Sequence, residues 1–590
     1  MSRLAFRPSQ WLMWVRRLLH NDQLLLALLA VVVGVCTGGA VILLREGMDL
    51  IQALSYGSDT EYLGDLVRGL PWWQVILVPT AGGLIVGITL KFIMPNGRPQ
   101  GVADVIESCA MHGSKMNLKA GLGAAVASAL SVGVGGSVGR EGPAVHLGAT
   151  VGAWIAAKLH LTRSLSRTLL GCGVASAVAA SFNAPLAGAL FANEVVVGHY
   201  GLSAFAPIVI SSVSGTMVSR AMYGDFPAFM IGEHPIGSAL EFPAFAGLGV
   251  VCGLIAVAFL FSVRRVEMGM DGLSLPRWIR PALIGAVIGG IALFYPEVLG
   301  VGYGTTDKAL NSQFPLQMLI ILAAAKFVAT ALCLGGGFAG GVFSPSLVLG
   351  ALVGGAYGAV AAGLYPELSA GGGAYVLVGM GAMASAILGA PISTTLIVFE
   401  LTGDYALTMA VMIGAVMASV MIQQLHSRSF FHWQLSRRGL DLHGGFASAL
   451  LRGQTVATVM TEQADVVPEA LLLPGLRQAL QQSSVGELFV IGNNDRLIGT
   501  VTLADMSEAA FDPSMDLLVN AGDTARRKPP VLCPTDDLER ALKLMHDRGE
   551  ETIAVVADRE SMRFLGLARV CDVMAAYNRA LIEARAEERA

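Results

Sequence analysis

An arginine and a glutamate stand side by side inside a long apolar stretch of this 590-residue chain. Between Lys119 and Lys158, Arg140 and Glu141 are the only residues with formal charge, and they lie in the segment GREGP. Proline is well tolerated in the first turn of a helix and glycine allows a tight turn before it, so this segment predicts a helix start. The first helical turn leaves about four backbone N–H groups without internal partners, at the positive end of the helix dipole. A helix start at membrane depth therefore predicts an anion site.

A second helix start with the same Gly-x-x-x-Pro spacing is GVFSP, at 341–345. Two such ends directed at one point would hold an anion weakly enough to let it leave. Glu141 would then be a tethered anion that occupies the site and leaves when a mobile anion competes or a proton neutralises it, which is a gate. The alternative is that Arg140 and Glu141 only pair inside the bundle. It is disfavoured because adjacent helical residues do not face each other and ionisable residues in spans are usually functional.

The same region contains an internal repeat. SFNAPLAGALFANE (181–194) and ILGAPISTTLIVFE (387–400) share an Ala-Pro pair, an apolar run and a glutamate nine residues after the proline. In each copy the proline follows the Gly-x-x-x-Pro segment at a similar distance. Two related halves, about 23–225 and 244–425, are therefore predicted. Transporters built from two related halves often bind their substrate between them.

Composition indicates that these halves lie in a membrane. The chain is 54% hydrophobic and 14% charged, whereas a soluble protein has roughly 25% charged residues. Leu24–Leu44 is an uncharged run long enough to span a bilayer core of about 30 Å, and too long for a signal peptide. Four arginines and no acidic residue among the first 20 predict a cytoplasmic N-terminus. We assign 1–22 to a cytoplasmic segment and 23–440 to an all-α membrane domain with broken helices.

The tail has a different composition. From Arg452 onward it holds 37 of the 82 formal charges in 139 residues, which indicates a soluble domain. Leu476–Met506 and Leu538–Met574 each have the pattern helix, strand, turn, strand, helix. The predicted organisation is a linker at 441–455, a first domain at 456–510, a linker at 511–525, a second domain at 526–580 and a charged C-terminal tail at 581–590.

GREGP, GGVFSP (340–345) and FNAPLAG (182–188) together resemble the signature segments of the CLC family of chloride channels and chloride/proton antiporters, over about residues 20–440. The tail resembles the pair of α/β CBS domains that many CLC proteins carry. The resemblance implies a multi-pass protein of the cell inner membrane, with the CBS tail in the cytoplasm and two antiparallel halves per subunit. It also implies a homodimer in which each subunit has its own anion pore.

The resemblance assigns roles to individual residues. Glu141 matches the external gating glutamate. The positions assigned to anion binding are Gln100, Gly101, Val102, Arg140, Gly142, Val342, Phe343 and Phe431. Two of them depart from the family, because Gln100 replaces an anion-contacting serine and Phe431 replaces an anion-contacting tyrosine. A Phe ring cannot donate the hydrogen bond of a phenol. The hypothesis is a weaker or differently selective central anion site.

A third departure concerns proton transport. Proton-coupled relatives carry an inner glutamate directly after a first one, whereas here Glu194 is followed by Val195. Valine cannot carry a proton, which favours a passive, Glu141-gated chloride channel. A chloride/proton antiporter stays open as the alternative, since water wires can substitute for the inner carboxylate. Glu194 is either the relay itself or an inward-facing structural carboxylate.

In CBS pairs, a G-x-x-T-x-x-D pattern contacts an adenine nucleotide. Gly499 to Asp505 fits this pattern, with Thr502 and Asp505 as candidate contacts, whereas the second copy has Arg569 in place of the threonine. The alternative is a docking and dimerisation module that binds no ligand. No required cofactor, metal centre or nucleic-acid partner is expected.

Two other classes of protein are disfavoured. A membrane enzyme would need a nucleophile or metal cluster at depth, but the ten histidines are scattered and the seven cysteines form no C-x-x-C. A membrane sensor without transport would leave the charged motif unexplained.

Overall fold

The computed structural model describes residues 22–60, 62–198, 202–225, 238–364, 372–426, 429–438, 440, 451, 454–483, 485–506 and 513–589. The chain divides into two compact units, Met1–Asp441 and Leu442–Ala590. Most of the predicted segment 1–22 and of the linker 441–455 lies outside the described residues.

The first unit is helical throughout its described part. The helices of its first half are α1 (Asp22–Tyr56), α2 (Leu63–Arg68), α3 (Trp72–Ile93), α4 (Val102–Met111), α5 (Leu118–Gly133), α6 (Glu141–Lys158), α7 (Arg163–Phe182), α8 (Pro185–Phe191) and α9 (Leu202–Tyr223). The helices of its second half are α10 (Phe242–Gly272), α11 (Arg280–Ala292), α12 (Tyr303–Leu310), α13 (Leu316–Gly335), α14 (Phe343–Leu364), α15 (Gly372–Leu388), α16 (Pro391–Thr402), α17 (Tyr405–Leu425) and α18 (Phe430–Arg437). Short 3-10 turns at Pro95–Gly97, Ala239–Glu241 and Pro296–Val298 connect some of them.

Helices of membrane-spanning length alternate with shorter ones. Among the described residues, seven helices are long and apolar enough to cross a membrane by length and composition, and five apolar helices are shorter. The first helix is longer than the predicted run Leu24–Leu44, because an Arg45–Asp49 pair one turn apart continues it into polar sequence (3.9 Å). The sequence predicts where two of the short helices start, because Pro185 and Pro391 each occupy the first helical position.

The two halves repeat the same packing. In the first, α6 lies against α7, and α7 against α8 and α9; in the second, α14 lies against α15, and α15 against α16 and α17. The backbones of α6 and α7 meet at Gly148 and Gly173, and those of α14 and α15 meet at Gly350 and Gly379. Small residues permit such close contact between membrane helices. The predicted fold class of two related halves with broken helices is confirmed.

The second unit contains two small sheets. One has the strand order β1 (Val466–Pro468), β2 (Glu487–Ile491), β3 (Leu497–Thr502), β4 (Arg526–Arg527), and the other β5 (Val531–Leu532), β6 (Thr552–Val556), β7 (Phe564–Arg569). In each sheet the first two strands are parallel and the next pair is antiparallel. The helices are α19 (Leu473–Gln482), α20 (Ala521–Thr524), α21 (Leu538–Arg548) and α22 (Val570–Arg589).

Four details of this unit differ from the predicted pattern. Residues 503–506 form a turn where the first repeat was expected to start its second helix, and 507–512 lie outside the described residues. Arg526 and Arg527 pair with β3, so they belong to the first sheet although the second domain was predicted to begin at 526. Thr461 pairs with Leu567, which ties the start of the predicted first domain to the second sheet. The predicted tail from 581 continues α22 up to Arg589.

Candidate anion site and gate

The two Gly-x-x-x-Pro segments contact each other through their first glycines. Gly139 and Gly341 form an antiparallel bridge in which each backbone N–H donates to the other residue's carbonyl oxygen at 2.7 Å. A Cβ atom on Gly142 would lie 2.8 Å from the Cα of Gly341, so a side chain at Gly142 would force the segments apart. The α6 and α14 helices begin two residues after the paired glycines, at Glu141 and Phe343. The predicted convergence of two helix N-termini is therefore present.

The carboxylate of Glu141 lies at this meeting point. Its side chain is 0% exposed. The backbone N–H of Ser344, in the first turn of α14, donates to its Oε2 at 3.3 Å, and the Tyr303 hydroxyl donates to its Oε1 at 2.8 Å. The Arg140 Nε lies 3.8 Å from the same Oε1, and the Arg140 guanidinium carbon lies 4.8 Å from the centre of the Tyr303 ring. The carboxylate thus occupies the N-terminal end of a helix, as an anion would.

Most of the predicted anion-binding positions line one cavity of about 490 Å³. The predicted residues on its wall are Gln100, Gly101, Val102, Glu141, Gly142, Val342, Phe343 and Phe431. They come from the start of α4, the start of α6, the start of α14 and the α18 helix, so four separate elements position them. Arg140 is the exception: it lies beside Glu141 but is not part of the cavity wall, which agrees with a role in local positive potential rather than in direct contact.

An amide and an apolar ring stand in this cavity where the family has two hydroxyl groups. Gln100 lines the wall and forms no side-chain hydrogen bond within the described residues. Phe431 is buried and contributes only an apolar ring. Gln434, which sequence reasoning missed, lies one turn after Phe431 on α18 and also lines the wall. Its signal in the sequence is the i, i+3 spacing from Phe431.

The cavity wall also carries basic residues. Five arginines lie on its wall: Arg98, Arg277, Arg280, Arg437 and Arg438. Four of them are paired with carboxylates, in the ion pairs Arg98–Asp104 (2.8 Å), Arg438–Asp104 (3.0 Å), Arg438–Glu107 (2.8 Å), Arg280–Asp271 (2.6 Å) and Arg437–Glu267. Arg277 is exposed and has no ion-pair partner within the part of the chain that the structure describes. The wall therefore combines positive charge with neutralising acids.

The two repeat glutamates cap each other's helices across the halves. The backbone N–H groups of Ile392 and Ser393, at the start of α16, donate to the Glu194 carboxylate at 3.0 and 2.8 Å, and the Ser393 hydroxyl donates to it at 2.5 Å. The backbone N–H groups of Leu186 and Ala187, at the start of α8, donate to the Glu400 carboxylate, both at 2.8 Å. Carboxylates at a helix N-terminus satisfy its free donors and interact well with the dipole. Of the two roles kept open for Glu194, this geometry matches the structural one.

Val195 lies in a π-helical segment, Ala192–Val197, that continues α8. Its side chain is buried, and the Glu194 carboxylate beside it is bound to the other half. The sequence repeat identified both glutamates, but it could not reveal that each caps the opposite copy, because the pairing joins residues about 200 positions apart.

Tyr303 is the second residue that sequence reasoning missed. It is buried at the first position of α12 and lies 162 residues from Glu141 in the chain. The stretch VGYG around it carries no charge and belongs to neither repeat motif. Nothing in the local sequence therefore identifies it as a partner of Glu141.

The candidate nucleotide residues of the tail hydrogen-bond to each other. The Asp505 carboxylate accepts from the Thr502 backbone N–H at 2.8 Å and from its hydroxyl at 2.7 Å. In the second copy, the Arg569 Nε donates to the Asp572 carboxylate at 2.7 Å. This hydrogen bond and the charge of Asp572 raise the pKa of the Arg569 guanidinium. The two copies thus share an aspartate that binds the residue three positions before it, with a cation in only one of them.

No cluster of three or more histidine, cysteine or acidic side chains with metal-binding geometry occurs within the described residues.

Comparison with known proteins agrees with this fold and site. The family model of the voltage gated chloride channels matches residues 82–423, and the CBS domain model matches residues 521–579. The voltage-gated ClC-type chloride channel ClcB of Escherichia coli is 32% identical over 411 residues, which cover 68% of this chain and 97% of that protein. The chain therefore belongs to the CLC family of chloride channels and transporters, and it carries a CBS domain in its tail.

Two solved structures share the fold. A slow cyanobacterial Cl⁻/H⁺ antiporter has a TM-score of 0.64 and 23% identity, over 70% of this chain and 97% of its own. A eukaryotic CLC transporter has a TM-score of 0.61 and 19% identity, over 93% of this chain and 97% of its own. At these identities the likeness concerns the fold alone.

Proposed function

We propose that this protein is a passive chloride channel in which the Glu141 carboxylate is the gate. The observation that carries the proposal is the position of that carboxylate, which is buried, faces the cavity and accepts a hydrogen bond from the first turn of α14. A site that binds this carboxylate has the donors and the dipole for a chloride ion. Chloride and the carboxylate compete for it, so conduction requires that Glu141 leave.

Two observations support conduction without proton coupling. Val195 offers no titratable group at the inner position, and the neighbouring Glu194 carboxylate is bound by three donors of α16. A carboxylate held by three donors at a helix N-terminus has a structural role as a cap, and moving it to relay protons would break those hydrogen bonds. The alternative is a chloride/proton antiporter of the same fold, and it rests on Glu141 itself, which can bind a proton.

The gate is tested by chloride efflux from proteoliposomes that contain purified protein. Glu141→Ala removes the tethered anion, and we expect faster efflux than in the native protein when a potassium ionophore supplies counter-charge. Glu46→Ala is the matched control, because Glu46 is a carboxylate of α1 that accepts a hydrogen bond from Tyr223 and does not line the cavity. Equal efflux in the native protein and Glu141→Ala would contradict the gate.

Family membership supports a proposal about the assembly and location of the channel. We propose a homodimer in the inner membrane, embedded in lipid, with the arginine-rich N-terminus and the CBS tail in the cytoplasm. Transport rather than catalysis is the proposed activity, and nucleic acid has no proposed part in it.

The tail is proposed to bind an adenine nucleotide through Thr502 and Asp505. Thr502 is half-buried at the last position of β3, Asp505 is exposed three residues after it, and an Asp carboxylate can accept ribose hydroxyls. Calorimetric titration of the full-length protein with AMP and ATP tests this. Heat that is saturable in the native protein and lost in Asp505→Ala is expected, and no saturable heat in either protein would contradict it.

A further inference from the structure

The Tyr303 phenol is the closest hydrogen-bond donor to the Glu141 carboxylate among the described residues. Its hydroxyl donates to Oε1 at 2.8 Å, compared with 3.3 Å for the backbone N–H of Ser344 on Oε2. Both side chains are buried. A hydrogen bond to an ionised acceptor is roughly twice as strong as one between neutral groups, and burial strengthens it further. Tyr303 therefore stabilises the carboxylate in its observed position.

The loop before Tyr303 is fixed by buried hydrogen bonds. The Lys326 ammonium, on α13, donates to the carbonyl oxygens of Val298 and Gly300 at 3.0 and 2.9 Å. The backbone N–H of Gly300 donates to the Gly135 carbonyl at 3.0 Å. Gly302 then adopts a φ of 92°, in the left-handed region that favours glycine, and its next residue is Tyr303. Because the loop is held from two sides, the phenol is presented to Glu141 from a rigid support.

Arg140 contacts both members of this hydrogen bond. Its guanidinium lies over the face of Tyr303, and its Nε lies 3.8 Å from the same Glu141 oxygen that accepts from the phenol. Cation–π contact of this kind orients the ring as well as adding attraction. The carboxylate therefore has three neighbours that hold it in place: the phenol, the guanidinium and the helix N-terminus.

We propose that Tyr303 is a positioning residue that latches the Glu141 gate in the blocking position. This proposal rests on the proposed function. When chloride displaces the carboxylate, the Tyr303–Glu141 hydrogen bond must break. The strength of this hydrogen bond therefore helps to set the chloride concentration that opens the gate. Loss of one charge-assisted hydrogen bond should lower that concentration about tenfold, the equivalent of roughly 1.4 kcal/mol.

The test is a double-mutant cycle with Tyr303→Phe, Glu141→Gln and the combined variant, all reconstituted in proteoliposomes. Phenylalanine keeps the ring that Arg140 covers and removes only the hydroxyl. The readout is the chloride concentration that gives half-maximal efflux. Tyr303→Phe should lower it about tenfold in the native background. In the Glu141→Gln background, where no carboxylate remains to be latched, the same change should have no effect.

A matched control lies elsewhere in the chain. The Tyr223 phenol donates to the Glu46 carboxylate at 2.7 Å, and the Arg45 guanidinium carbon lies 4.2 Å from the centre of its ring. This trio has the same three residue types as Arg140, Glu141 and Tyr303, but Glu46 does not line the cavity. Tyr223→Phe should therefore leave the half-maximal chloride concentration unchanged.

The results of these experiments distinguish failure of the proposed Tyr303 latch from failure of the proposed Glu141 gate. No shift in Tyr303→Phe, or an equal shift in both Glu141 backgrounds, would overturn the latch. If Glu141→Gln itself behaves like the native protein, the proposed gate fails instead. Unfolding midpoints of all variants in detergent show whether a shift reflects damage to the fold.

Discussion

At the scale of single residues, two side chains of the candidate anion site depart from the family pattern. The amide of Gln100 stands where the family has a serine hydroxyl, and the Phe431 ring stands where the family has a phenol. Both line the cavity, so under the proposed function each departure lies on the anion's path. An amide donor remains on one side, but the other side offers no hydrogen bond.

Restoring the hydroxyls should tighten the site. We expect Gln100→Ser with Phe431→Tyr to bind chloride more tightly than the native protein, by about tenfold if the phenol that Phe431→Tyr adds contributes roughly 1.4 kcal/mol. Isothermal titration calorimetry in detergent, with Glu141→Gln in both proteins so that the carboxylate does not compete, measures the difference. Equal or weaker chloride binding by the hydroxyl-bearing variant would contradict the account of the site.

Sequence reasoning at this scale found the residues that carry motifs and missed those that do not. Glu141, Val342 and Phe343 follow from two Gly-x-x-x-Pro segments. Tyr303 could not be found, because only the folded chain brings residue 303 next to residue 141. Arg140 was assigned to anion binding, but its side chain supports Glu141 and Tyr303 instead of lining the cavity.

At the scale of elements, the repeat predicts two helix starts, and in the structure each copy caps the helix start of the other. Each copy ends in a glutamate, and each glutamate caps the proline-started helix of the other copy. The repeat therefore specifies two equivalent helices and also the hydrogen bonds that connect the two halves. Hydropathy alone does not reveal these hydrogen bonds. It also underestimates the length of α1, because it detects the apolar run but not the polar turns that continue the helix.

Removing either cap should destabilise the membrane unit by a similar amount. Glu194→Gln and Glu400→Gln each lose a charged acceptor at a helix N-terminus, for which we expect a loss of about 1–2 kcal/mol. The unfolding midpoint in detergent, measured for both variants in parallel, tests the equivalence.

Transport by the same two variants tests the role of Glu194. If Glu194 is only a cap, chloride efflux with a potassium ionophore persists in both variants. A loss of proton movement confined to Glu194→Gln, with Glu400→Gln unaffected, would show instead that Glu194 is a proton relay.

At the scale of the whole molecule, the two units were separable from charge distribution alone. The membrane unit ends at Asp441, one residue after the predicted boundary at 440. Inside the tail the sequence pattern was less informative, because β4 joins the first sheet and the chain near Thr461 joins the second. Strand pairings between short, distant segments produce no periodic pattern of hydrophobic residues, so the sequence does not predict them.

The assembly state belongs to this scale too. We expect the purified protein to have twice the protomer mass of 61.5 kDa in light scattering, after correction for detergent. A protomer mass that persists at high protein concentration would contradict the proposed homodimer.

The most direct test of passive conduction records chloride efflux and external pH together in one proteoliposome sample. We predict efflux that runs down its gradient only when a potassium ionophore supplies counter-charge, with no proton movement in the native protein or in Glu141→Ala. Proton uptake driven uphill by the chloride gradient and abolished in Glu141→Ala would contradict the account. It would make the protein a chloride/proton antiporter in which protons reach Glu141 without a carboxylate at Val195.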